Sequence, residues 1–124
     1  MAERYLKAVQ KVLNKGSVYL RLHGSIYKIR SLEIKGSDAK FDCRSLHNGE
    51  NYEISFKIEK KLMTDLIGFG LRDKPNSVFV ISEDADKPIW FETSLQELIE
   101  EVEKRALRKD LLKELSTYAD IEET

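Results

Sequence analysis

One cysteine, two prolines and two histidines are all this 124-residue chain carries of the residues that staple, kink or offer sulfur and imidazole to a metal. Cys43 alone can neither close an internal disulfide nor by itself assemble a structural zinc site. His23 and His47 complete the soft metal ligands, and they offer no convergent spacing with it. No metal and no cofactor are expected. Cys43 and His47, four apart on a strand, stand roughly 13 Å from each other, beyond the reach of a nucleophile–base pair. Neither GxxxxGK[ST] nor GxGxxG occurs, so no known loop cradles a phosphate. The nearby carboxylates Asp84 and Asp86 read as turn residues. Together these gaps argue against an enzyme. No apolar run approaches the ~20 residues that span a bilayer, and the start Met1-Ala2-Glu3-Arg4 leads into no apolar signal core. The expected location is the cytoplasm, with no membrane partner.

Net charge is also missing, since 21 Lys and Arg face 22 Asp and Glu. The balance conceals a split. Residues 1–62 hold 13 basic and 7 acidic side chains, whereas residues 63–124 hold 8 and 15. A basic first half raises the expectation of an anionic partner; mutual attraction between the halves is the plain alternative. An apolar content of 41% suffices for a core at this length, and residues 1–124 read as a single domain, a basic 1–70 joined to an acidic 71–124.

Hydrophobic periodicity predicts an α+β fold. Over residues 3–15, helical spacing puts Tyr5, Leu6, Val9, Val12 and Leu13 on one face and Arg4, Lys7, Lys11 and Lys15 on the other, with Gly16 as a left-handed cap. Two alternating runs around Gly24-Ser25 then predict a hairpin with a type II′ turn, Leu22 facing Tyr27 and Leu20 facing Ile29. A change of parity near Arg30-Ser31 predicts a bulge. Asn48-Gly49 centres a second hairpin that pairs Phe41 with Phe56, Arg44 with Glu53 and Lys40 with Lys57. With a turn over Lys35 to Asp38, residues 17–58 form a four-stranded antiparallel meander. Its apolar side must be covered, either by curling into a small SH3-like or Sm-like barrel or by packing on helices. A short helix over residues 60–67 stopped by Gly68 and Gly70, a β-hairpin (Val78 to Ile81 with Pro88 to Phe91) and a long C-terminal helix capped at Thr93-Ser94 complete the chain.

Two surfaces carry the functional expectations. The outward face of the first hairpin collects Tyr19, Arg21, His23, Lys28 and Arg30, with Arg21 opposite Lys28, and Lys40 opposite Lys57 repeats the like-charge pairing. Such pairs cost roughly 0.2–1 kcal/mol, and an anion would relieve them. A ring among cations is what a single-stranded nucleic-acid surface uses. RNA or DNA binding through Tyr19, Arg21, Lys28, Arg30, Lys40 and Lys57, supported by Arg4, Lys7, Lys11 and Lys15, is the leading reading. A rival comes from the C-terminus. Leu111, Leu112 and Leu115 fall nearly opposite the stripe Leu95, Leu98, Ile99 and Val102 on a continuous helix. Either the chain turns near Arg108-Lys109-Asp110, or one helix shows two apolar faces and needs a second chain, making the protein a homodimer or another protein's regulatory subunit.

Overall fold

The computed structural model describes residues 2–72, 76–83, 89–105 and 108–113, with side chains from Leu6 onward. Asp84, Asp86 and Leu115, and the side chains of Arg4 and Tyr5, lie outside the described residues. The chain runs α1 (Ala2–Asn14), β1 (Val18–Leu22), β2 (Ser25–Lys35), β3 (Asp38–Ser45), β4 (Asn51–Lys57), α2 (Lys60–Arg72), β5 (Ser77–Ser82), β6 (Ile89–Ser94) and α3 (Leu95–Lys104). None of the described helices is long and apolar enough to cross a membrane.

All six strands join one sheet in the order β4-β3-β2-β1-β5-β6. The four-stranded antiparallel meander is present, but it does not curl into a barrel. β1 instead takes β5 as a parallel neighbour, Leu20 beside Ile81, which leaves the sheet open, with β4 and β6 at its edges. Helices supply the cover that closure would have given. α1 and α2 bury Val9, Val12, Leu62, Leu66 and Phe69 against Leu20, Ile29, Phe41, Cys43 and Phe79 on one face. α3 buries Leu95, Leu98, Ile99 and Val102 against Tyr19, Ile26, Val78 and Val80 on the other. β5 is therefore apolar on both sides, as its uninterrupted Val78-Phe79-Val80-Ile81 requires.

Gly16, at φ 65°, ends α1 as expected. Its N–H donates to the Leu13 carbonyl at 3.0 Å and the Ser17 N–H to Val12 at 3.2 Å, a Schellman closure. Leu6, assigned to the apolar face, is 62% exposed; Ala8 takes its place inside. Gly68 and Gly70 do not stop α2, which runs through both to Arg72. Gly70 is a packing residue, since a Cβ there would lie 2.6 Å from the Ala8 carbonyl oxygen.

Both hairpins differ from their expected registers by two residues. In the first, Leu22 pairs with Ser25, Leu20 with Tyr27 and Tyr19 with Lys28. His23 and Gly24 form the turn, both at positive φ (49° and 79°), the requirement of type I′; histidine tolerates that region better than most residues. In the second, Phe41 pairs with Ile54, Arg44 with Asn51, Lys40 with Ser55 and Asp38 with Lys57. The connection takes in more than Asn48-Gly49 because Leu46 leaves the strand to enter the α3-side core, its N–H bonded to the Ile26 carbonyl at 2.9 Å. The bulge falls at Arg30, between Ile29 and Ser31, as expected.

Ser94 caps α3, accepting a 3.1 Å bond from the Glu97 N–H. After Arg105 the chain does not continue as one helix. The Arg108 N–H donates to the Leu46 carbonyl at 3.0 Å, and a new helical segment covers 109–113. Leu111 and Val102 lie nine residues apart, on opposite sides of any continuous helix, yet both belong to the same core. The chain has turned.

Candidate nucleic-acid interface

Among the described residues, the α3 face of the sheet is covered over β1, β5 and β6 and bare over most of β2, β3 and β4. On the bare part Arg30, Glu33, Lys35, Asp38, Lys40, Asp42, Glu53, Ser55 and Lys57 are exposed, with Lys28 and Arg44 half-buried. Strand alternation puts these side chains on one face, and the register arranges them in rows. Lys28, Arg44 and Asn51 make one row, and Ser31, Asp42 and Glu53 the next. Glu33, Lys40 and Ser55 follow, then Lys35, Asp38 and Lys57. The bulged Arg30 falls outside the pairing and reaches Asn51, donating to its Oδ1 at 3.3 Å.

Cations therefore collect at two ends of the face. At one, Lys28 stands directly across from Arg44, whose Nε donates to the Gly49 carbonyl at 3.2 Å. At the other, Lys35, Lys40 and Lys57 border a cavity of about 380 Å³ with Asp38 and Ser55. Asp42 and Glu53 lie between, and Glu53 ion-pairs with Lys40 at 3.2 Å. Six residues of β3 separate the Arg44 and Asp38 rows, roughly 20 Å. The face carries six cations against four carboxylates, a modest positive excess.

Lys28, Arg30, Lys40 and Lys57, singled out in the sequence, thus come together. The pairings that drew attention to them do not exist: Arg21 lies across from Ile26 and Lys40 across from Ser55. Lys28 against Arg44 is a like-charge pair of a different origin, set across β2 and β3 by the turn between Lys35 and Asp38 and the bulge at Arg30. Tyr19 is a correction of another kind. It is 0% exposed, sealed beneath α3, so its ring offers no stacking platform. Arg21 sits at the rim of the same helix, its Nη1 3.0 Å from Glu101 Oε1 and its guanidinium 4.9 Å over the Phe91 ring. Arg105 reaches the same oxygen at 3.0 Å. Arg21 therefore fastens α3 to β1. Lys7, Lys11 and Lys15 are exposed, but α1 packs on the opposite face of the sheet and cannot extend this surface.

Lys35 and Arg44 were missed. Both share the parity of the residues that were found, Arg44 directly and Lys35 across the bulge, so alternation alone could have included them.

The C-terminal surface changes as well. Leu111 is 2% exposed and Leu112 packs beside it, both against this chain's own core; neither needs a second chain for burial. Arg108 holds the corner. It donates to the Asn48 carbonyl at 2.8 Å and grips Asp110 at 2.9 and 2.8 Å, keeping that carboxyl below its usual range.

Cys43 is a core residue, as expected. Burial, reinforced by neighbouring Asp42, pushes its thiol up to about 11, the opposite of what a nucleophile needs. Among the described residues no three His, Cys, Asp or Glu side chains converge as a metal site. No family model matches the chain, nor does any curated protein or solved structure, and the functional reading rests on the geometry of this face.

Proposed function

We propose that the chain is a non-enzymatic cytoplasmic module that binds RNA or DNA through the bare face of β2, β3 and β4. The observation that carries this reading is the Lys28–Arg44 pair, two cations held directly opposite on neighbouring strands with bulged Arg30 beside them. A phosphate set between neighbouring cations is held by charge-assisted hydrogen bonds. With Tyr19 inside the core, no aromatic ring stands on this face among the described residues. Recognition is then of the phosphate backbone, with little preference for sequence.

Titration of a labelled single-stranded oligonucleotide tests the proposal. If about four cations neutralise phosphates, affinity falls roughly 50-fold between about 50 and 200 mM salt. Lys28→Glu/Arg44→Glu should abolish low-salt binding, whereas Lys7→Glu/Lys11→Glu on the far side of the sheet should largely preserve it. Absence of binding by the unmodified chain at low salt rejects the reading, as does equal damage from the two double variants.

A further inference from the structure

β4 ends the sheet, and among the described residues nothing pairs with its outer edge. Two bonds fix which of its backbone groups look outward. The Ser45 N–H donates to the Glu50 carbonyl and the Ile58 N–H to the Ser37 carbonyl, both at 2.9 Å. In an antiparallel ladder hydrogen-bonded pairs alternate, so Tyr52, Ile54 and Phe56 direct their N–H and C=O groups toward β3. Asn51, Glu53, Ser55 and Lys57 direct theirs away from it. The strand carries no proline and no bulge, devices that commonly blunt such an edge.

We infer that this edge pairs with the β4 edge of a second copy of the chain, antiparallel about a two-fold axis through Ser55. Charge selects the register. Centring on Glu53 would set Glu53 against its own copy, and centring on Ile54 leaves Glu53 opposite serine. Centring on Ser55 places Glu53 opposite Lys57 of the other copy, twice by symmetry, and every residue in these hydrogen-bonded pairs has outward backbone groups. Opposite charges directly across an antiparallel pair stabilise it.

Glu53 already meets Lys40 of its own chain at 3.2 Å; the second lysine completes a cation–carboxylate–cation row. On the other face the same register sets Ile54 against Phe56. Both are half-buried residues already packed on the helix-side core, with Phe56 stacked on Phe41 at 4.9 Å. A two-fold axis perpendicular to the sheet keeps both bare faces on one side. The bare β2, β3 and β4 of each copy would then form one continuous six-stranded cationic surface within a twelve-stranded sheet.

Light scattering over a range of protein concentrations, with no nucleic acid present, separates this inference from the binding proposal. The unmodified chain should approach twice the 14.4 kDa of a single copy. Ser55→Pro should stay at the single-copy mass, because it deletes the central intermolecular donors while its own ladder to β3 uses neither of them. Glu53→Lys sets like charges across the axis and should weaken association by about tenfold; Glu53→Lys/Lys57→Glu restores the opposition and should recover it. The charge pair keeps the test decisive if the proline variant misfolds. A single-copy mass at all concentrations overturns the inference, and so does a dimer indifferent to Ser55→Pro or a double variant no better than Glu53→Lys.

Discussion

Gly70 and Gly68 lie two residues apart in α2, and replacing each by alanine should move stability in opposite directions. In a helix interior alanine is favoured over glycine by about 1 kcal/mol. At Gly68 a new Cβ meets nothing within 4 Å, so Gly68→Ala should collect most of that gain, about 0.5–1 kcal/mol. At Gly70 the new carbon would lie 2.6 Å from the Ala8 carbonyl oxygen and 2.8 Å from Val12 Cγ2. Carbon–oxygen contacts ordinarily stay beyond about 3.3 Å, so α1 and α2 must part by several tenths of an ångström. The obstructing oxygen is backbone and cannot rotate aside. Overpacking costs about 1–3 kcal/mol; against a fixed backbone atom the upper part of that range, about 2–3 kcal/mol, applies, and after the propensity gain of about 1 kcal/mol Gly70→Ala should lose about 1–2 kcal/mol. At this chain length 1 kcal/mol moves Tm by about 3–5 °C, so the two variants should differ by roughly 5–15 °C in a thermal melt followed by circular dichroism. Urea midpoints measured with an unchanged slope would give the same contrast without depending on thermal reversibility. If both substitutions raise Tm equally, the close crossing of α1 and α2 is wrong. A loss at Gly68 would instead show that α2 ends there.

Two further outcomes follow from groups that the fold holds in place. The folded chain keeps the Cys43 proton more tightly than the unfolded chain, about 11 against an ordinary 9.0. Stability from this group is therefore intact below pH 9 and declines between about 9 and 11 as the unfolded thiol ionises. At pH 8 a thiol reagent should label native Cys43 at least ~100-fold more slowly than the urea-unfolded chain, and equal rates would refute the burial. Ser94→Ala removes the acceptor for the Glu97 N–H and should cost about 1 kcal/mol in a urea titration; an unchanged midpoint would show that Ser94 does not hold the start of α3.

The two displaced hairpins explain how much of the site was legible. Each register is off by two residues, and a shift of two preserves parity. Lys28, Arg30, Lys40 and Lys57 therefore fall on one face under either register, whereas every cross-strand partner assigned to them changes. Partners depend on the turn. His23 entering the left-handed region and Leu46 leaving its strand for a core are choices that local pattern does not announce. Exposure was further out of reach. Tyr19 and Lys28 are direct neighbours on one face, yet the tyrosine is sealed and the lysine half-open, because α3 returns over one end of the sheet and stops short of the other.

Periodicity and turn chemistry settled what depends on neighbours in the chain: the bulge at Arg30, the caps at Gly16 and Ser94, and the faces on which side chains emerge. The tertiary structure decided what depends on distant segments meeting. β5 beside β1 holds the sheet open, Glu101 and Phe91 claim Arg21, and the bond from Arg108 to Leu46 brings Leu111 into its own chain's core. The division is physical. A strand's alternation is set within a few residues, whereas cover is shared among all the surfaces that compete for the same apolar face.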